Sequence, residues 1–275
     1  MPTVALSSPQ AACWPNWFPS SSPSSEPTPT KIGGLFPSPR RDGLVTPRTS
    51  GRNERGGRWR IIQAGIAGCG QCIRGQAEIV GSPLNVGEIP DPPTTVDVVF
   101  VGVAPTSLNG RHKGRHFWSN VNDPLRIGLF SVLDGLLESQ LRAVNGRSKS
   151  AADDDFRARR LFFIHSCKVR PVPGELRAPP EAVVASCARR HLVDEIIAIR
   201  PRAVCFLGHN TAPAAALLGL SIDGRIATAN VRSETGEWNG YGVATVQPVR
   251  GAEKRTALAV RRLFAELGGL TAHHS

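Results

Sequence analysis

Val96-Asp-Val-Val-Phe-Val101 is an almost unbroken apolar run, and its reading decides the fold. A strand with one face in water alternates apolar and polar side chains, whereas a strand covered on both faces reads as a continuous apolar run. The run therefore predicts a strand sandwiched between helices, and the chain downstream supplies them. Asp123-Pro124 opens a helix, with Asp as N-cap and Pro at the first helical position, where its missing N–H costs nothing. Leu125, Leu129, Val132, Leu133, Leu136 and Leu137 recur as that helix's buried stripe. Residues 145–159 are polar and charged and read as a loop. Leu161-Phe-Phe-Ile164 reads as the second strand.

The next helix starts near Pro180, repeats Val184, Cys187, Ala188, Leu192, Ile196 and Ile199 at helical spacing, and stops at Pro201. Ala203-Val-Cys-Phe-Leu207 is a third strand ending at Gly208, and a short Ala/Leu helix follows through Leu218. Asn239-Gly240 signals a turn, and Tyr241 to Val246 reads as the last strand. A helix over 252–268 turns Val260, Leu263, Phe264 and Leu267 inward. Four β–α units of this kind predict a three-layer α/β/α sandwich around a mainly parallel four-stranded sheet. Chemistry then belongs in the loops beyond the strands' C-terminal ends.

Upstream the composition changes. The first 60 residues hold 10 of the 23 prolines and many serines, as in Pro19-Ser-Ser-Ser-Pro23-Ser-Ser-Glu-Pro27-Thr-Pro29. Such a stretch buries too little to offset its ordering entropy and reads as a disordered Pro/Ser/Arg-rich leader, 1–60, before one folded domain, 61–275. The net charge is +11, of which the leader carries +5. A basic domain without a basic amphipathic helix points to nucleic acid before membrane. No apolar run approaches the roughly 20 residues of a membrane span, and the N-terminus lacks a secretory pattern. These features predict a monomer in the cytoplasm, nucleoid-associated if bacterial. The Ser- and Arg-rich leader leaves organellar targeting open. Six cysteines without an export signal suggest metal binding or core packing rather than disulfides.

Three loops follow strand ends: 102–122, 165–180 and 247–251. The first reads Gly102-Val-Ala-Pro105-Thr-Ser-Leu-Asn-Gly-Arg-His-Lys-Gly114-Arg115-His-Phe117-Trp118. The second carries Phe163-Ile-His165-Ser-Cys-Lys168-Val-Arg170-Pro171, then Pro180-Glu181 and Cys187. A strand ending in Gly-x-Ala-Pro with Gly-Arg-x-Phe beyond it resembles the first motif of the uracil-DNA glycosylase superfamily. The likeness is greatest to the broad-specificity family five. Lys113-Gly-Arg-His-Phe117 is also similar to a stretch of the mismatch-specific thymine/uracil glycosylases. The second loop resembles the superfamily's Lys-Cys-Arg-Pro-Pro segment and its following Glu-to-Cys helix, and Phe206-Leu207-Gly208 resembles its Leu-Gly. The likeness runs from about Cys69 to Leu267.

The resemblance implies an enzyme that extrudes a deaminated base (uracil or a relative) from single- or double-stranded DNA and hydrolyses its N-glycosidic bond, as in base excision repair. Gly102, Val103, Ala104, Pro105 and Phe117 are then base-binding, with Phe117 as the stacking ring. The backbone amides around Ala104 and Thr106 would stabilise charge on the departing base. Arg111, Lys113, Arg115 and Arg250 are candidate DNA contacts. Val103 stands where most branches carry a polar water-orienting residue, so catalysis falls to Asn122, Asp123, His165 and Gln247. Asp123 has a competing role as helix cap. His165 replaces an Asn that reads the base edge, and Gln247-Pro248-Val249 replaces a His-Pro-Ser motif.

In the iron–sulfur branches, a CxxC upstream joins two later cysteines around a [4Fe-4S] cluster. Cys69, Cys72, Cys187 and, two positions from the aligned Val169, Cys167 are the corresponding set. Four thiolates hold either a cluster or zinc; the alternative is that Cys167 and Cys187 only pack the core. Cys205 reads as packing. Two further functions stay open: a catalytically silent nucleic-acid-binding module on the same fold, and an unrelated α/β binding protein with structural zinc.

Overall fold

The computed structural model describes residues 51–69, 80–83, 89–105, 116–119, 121–137, 141, 148–171, 178–245 and 253–268. In chain order the elements are α1 (Gly51–Ala67), β1 (Val80–Pro83), β2 (Val98–Gly102), α2 (Pro124–Leu137), α3 (Lys149–Ala158), β3 (Leu161–His165) and β4 (Val169–Pro171). Then come α4 (Glu181–Cys187), a π turn (Ala188–Leu192), α5 (Val193–Ile199) and β5 (Ala203–Phe206). A 3-10 turn (His209–Thr211), α6 (Ala212–Ala216), β6 (Ile226–Ser233), β7 (Gly236–Ala244) and α7 (Glu253–Glu266) complete the fold.

The main sheet has the order β3-β2-β5-β7-β6. Its first four strands are parallel and correspond to the four expected; β6 adds a fifth, antiparallel edge. Every residue of β2, β3 and β5 is buried, as the continuous apolar runs require. The β6–β7 hairpin turns between Ser233 and Gly236, so Asn239-Gly240 is not the turn that its dipeptide suggested. Gly240 instead lies inside β7, where a Cβ would sit 2.4 Å from the Trp238 ring and 2.8 Å from the Arg202 carbonyl. A glycine there answers close packing rather than chain reversal.

One further expectation is corrected. The segment read as a loop over 145–159 holds α3, capped by Ser148 accepting from the Ala151 N–H, with Ala152 and Phe156 buried. Its charges misled because Asp153, Asp154, Asp155 and Arg157 line the faces around only two apolar anchors. α1 runs from Gly51 to Ala67, across the residue-60 boundary expected from composition. Trp59 of α1 is 2% exposed, its ring edge-on to Phe162 of β3. Residues 1–50 lie outside the described residues.

At the N-terminal ends of the strands, Asp97 ties three of them together. Its N–H donates to the Arg160 carbonyl at 2.7 Å and its carbonyl accepts from Ala203 at 2.8 Å. Its carboxylate, itself fully buried, meets Arg160 at 2.7 Å and Arg202 at 3.9 Å. Burial pushes this carboxyl above the usual carboxylate range, against the pull of the two guanidiniums. No helix among the described residues is long and apolar enough to cross a membrane.

Candidate active site at the strands' C-terminal edge

Parallel order places the ends of β2, β3, β5 and β7 along one edge, and side chains and amides lace them together there. Gly102 sits opposite His165 in the β2–β3 register. Past the strands the pairing continues: Ser166 N–H donates to the Gly102 carbonyl and Cys167 N–H to the Val103 carbonyl, each at 2.8 Å. The buried Ser166 hydroxyl reaches the same two carbonyls at 3.1 and 2.9 Å. Thr245, just beyond β7, donates its N–H to the Phe206 carbonyl at 3.0 Å, and its Oγ1 accepts from Gly208 at 3.2 Å. The first two expected loops therefore start side by side, and β7 ends on the same edge. Gln247 and Arg250 of the third loop, and Arg111, Lys113 and Arg115 of the first, lie outside the described residues.

Above Gly102 the site is crowded with rings. A Cβ on Gly102 would come within 2.7 Å of Phe163 and 3.0 Å of Leu125, with His165 Nδ1 at 3.5 Å. The glycine serves here to let Phe163 and His165 lie over the strand end. Phe117 is fully buried. One of its faces stacks on Phe163 at 4.1 Å and 9°, and Trp118, Phe130 and Phe156 surround it at 5.0 to 5.6 Å. The expectation of a ring with a free face for a base is corrected: Phe117 is packed as a core side chain. Its sequence context could not show this, because the partners that enclose it come from three other elements.

His165 is 4% exposed, at the end of β3, its ring edge-on to Phe163 at 5.0 Å and to His116 at 6.3 Å. His116, which sequence reasoning passed over within the same run as Phe117, accepts the Trp118 N–H on Nδ1 at 3.3 Å. In its neutral form the ring's own proton is thereby left to Nε2. Trp118 in turn donates its indole N–H to the Phe163 carbonyl at 3.0 Å. Val103 and Ala104 are half-buried beside this cluster and Pro105 is buried.

Asp123 is buried and accepts the Arg126 N–H at 2.9 Å, so its carboxylate caps α2 as its place in the sequence predicts. Asn122, one residue earlier, is exposed. Arg126 is 2% exposed: it donates to the Phe117 carbonyl at 3.2 Å, pairs with Asp153 of α3 and lies over the Phe130 ring at 4.4 Å. A buried cation thus holds the Phe117 turn from beneath.

Behind His165 lies a second charged cluster that periodicity concealed. Lys168, 3% exposed at the side chain, donates Nζ to the His165 carbonyl and pairs with Glu195 of α5, which has no exposure at all. Gln63 of α1 donates to the other Glu195 oxygen at 3.2 Å. Burial pushes the Glu195 carboxyl up, against the pull of Lys168. His191, in the π turn, is driven down to about 4 by burial first, then by Lys168 and Arg190, with Asp194 opposing. The one sequence signal for Glu195 was its position, three residues after Leu192 and four before Ile199, on the buried stripe.

Of the cysteines expected to hold a metal, Cys167 and Cys187 are buried, and Cys187 Sγ accepts the Lys168 N–H at 3.0 Å. That bond sets the two segments side by side. Cys69 is half-buried just past α1, and Cys72 lies outside the described residues. Among the described residues no three His, Cys, Asp or Glu side chains gather as metal ligands, so Cys69, Cys167 and Cys187 do not by themselves assemble the expected site. Cys205 has its thiol pushed up to about 12 by burial, the inert packing residue expected mid-strand.

The family model described as Uracil DNA glycosylase superfamily matches residues 90–258, more than half of the chain. The match spans β2 through β7, all four laced strand ends, and enters α7. No individual curated protein matches the chain.

Proposed function

Because the chain belongs to the uracil DNA glycosylase superfamily, we propose that it is a DNA glycosylase, hydrolysing the N-glycosidic bond of a deaminated base such as uracil, flipped out of DNA. The observation that carries this reading is the junction of Gly102 and His165 at the sheet's C-terminal edge, inside the matched residues. An extruded base needs a recess with fixed polar groups, because its glycosidic bond is out of reach inside the duplex. The stitched carbonyls of Gly102 and Val103 fix the backbone there, and His165 supplies a side chain able to donate to or accept from the base edge.

Cleavage breaks the bond from C1′ to the base nitrogen, whose electron pair leaves with the base. Water adds its oxygen to C1′ and a proton ends on the base. Val103 offers no carboxylate for deprotonating that water, so the reading puts the weight on stabilising the departing base. His165 and the amides near Ala104 are its donors, with Gln247 and Arg250 from the third loop. Asn122, exposed ahead of α2, orients the water. Asp123 is engaged as a cap and is the weaker candidate. Arg111, Lys113 and Arg115 contact phosphates.

Phe117 favours a second reading, a silent nucleic-acid-binding module, since its ring is packed on Phe163 and Val103 is inert. One experiment separates the two. Oligonucleotides carrying uracil, hypoxanthine or xanthine, single- and double-stranded, are incubated with the protein and treated with alkali. Strand scission at the modified base is expected. Salt-sensitive binding without scission on any substrate would establish the silent module instead.

A further inference from the structure

We propose that Lys168 is the positioning residue of the strand-end site: it holds the His165 turn in place by a buried contact chain that runs through Glu195 to Gln63 of α1. The chain is continuous. Lys168 Nζ donates to the His165 carbonyl and pairs with Glu195, and Gln63 Nε2 donates to Glu195 Oε1 at 3.2 Å. The backbone of the same lysine donates to Cys187 Sγ at 3.0 Å, so both ends of the residue are tied. α1 is itself secured by Trp59 against Phe162 and by Arg58 donating to the Thr235 carbonyl. It also lies wholly outside the residues that the family model matches, 90–258. Gln63 thus reaches the Lys168–Glu195 pair, which lies within the matched residues, from a helix outside them.

The energetics say what the pair is for. Two charges stripped of water lose hydration that their attraction recovers only in part. Apolar residues of similar volume are often as stable or more so. Apolar residues cannot, however, hold a carbonyl. What Lys168 supplies is a fixed place for the His165 peptide, and with it the direction of an imidazole packed against Phe163 and the strand end at Gly102. A displacement of about 1 Å at such a group is enough to cost on the order of 100-fold in rate. The inference rests on the glycosylase reading for what the strand-end site does, but its geometry stands without it.

The test is the full chain carrying Lys168→Met together with Glu195→Leu. The double variant should melt at or above the parent's temperature and bind the uracil oligonucleotide like the parent. Its single-turnover base release should slow by about tenfold or more. Its His165 ring signals in ¹⁵N–¹H correlation spectra, assigned with His165→Gln, should move. Base release at the parent's rate, or unmoved ring signals, overturns the proposal. If the parent itself releases no base, the glycosylase reading has failed, and the ring signals alone decide the positioning role. Should the double variant not fold, Gln63→Leu replaces it: slower release or displaced ring signals support the brace, and parental values for both overturn it.

Discussion

Acidification should destabilise this protein through His191 before most carboxylates are protonated. The imidazole sits in the π turn between α4 and α5, 8% exposed, and its Nε2 has no hydrogen-bond partner among the described residues. Burial, reinforced by the charges of Lys168 and Arg190 and opposed by Asp194, takes its pKa from the ordinary 6.5 down to about 4. The unfolded chain therefore binds a proton that the native state refuses. The associated stability is complete above about 6.5 and is lost as the pH falls toward about 4. At about 1.4 kcal/mol per pH unit, moving from pH 7.5 to 4.5 costs about 2–3 kcal/mol through this group. For a domain of this size that is a fall in Tm of about 5–10 °C. Urea unfolding at both pH values, on the parent and on His191→Gln, isolates the effect because the carboxylates titrate alike in both proteins. The parent should lose about 2–3 kcal/mol more than the variant. Equal losses would show that the native state accommodates a protonated His191, and the account of its burial would be wrong.

Three substitutions probe the site more directly. Phe117→Ala empties a fully buried position and should cost about 3–5 kcal/mol in urea unfolding; a near-neutral result would mean that the ring is not packed as core. Gly102→Ala drives a methyl into Phe163 and Leu125 and should cost about 1–3 kcal/mol, with base release falling further because the same methyl faces His165 Nδ1. Unchanged stability and release would remove the argument for close packing at the strand end. Cys187→Ala strands the buried Lys168 N–H and should cost about 1–3 kcal/mol, whereas Cys187→Ser keeps an acceptor and should recover much of it. A serine variant as unstable as the alanine variant, together with loss of iron or zinc from the purified protein, would assign that thiolate to a metal instead.

The sheet was legible because burial on both faces leaves a mark in the sequence. Val98 to Val101, Leu161 to Ile164 and Ala203 to Leu207 are apolar without alternation, and each is a buried parallel strand. The helical stripes held for the same reason: Val184, Cys187, Leu192, Ile196, Val260 and Leu263 are all buried. What failed was wherever the mark is shared or sparse. α3 was hidden because two apolar anchors suffice for a ten-residue helix laid over β3, and four charges intervene. β6 was hidden because an edge strand with half of its residues exposed carries no apolar run. Residues 51–60, the first part of α1, were grouped with the Pro/Ser/Arg-rich leader by composition, and Trp59 among them is buried.

The site divided along the same line. Which loops meet is a property of topology: once four strands are parallel, their C-terminal ends share an edge, and Gly102 and His165 had to be neighbours if β2 and β3 paired. Which side chains do the work is a property of enclosure, and enclosure is contributed by residues far along the chain. Phe117 read as a stacking ring from its own motif, but Phe163, Phe130 and Phe156 come from β3, α2 and α3 to close around it. Lys168 entered only as part of the second loop's motif, but Glu195 and Gln63 make it a buried brace. Both outcomes have one cause. A polar or aromatic residue declares its chemistry locally, whereas its exposure is decided by partners that local spacing does not specify. Glu195 is the instructive exception, because an acid on a helix's apolar stripe must find a cation or a donor in the core. Lys168 is the cation that meets it, so a charge out of place in a helical pattern can point to the partner that a motif alone would leave unexplained.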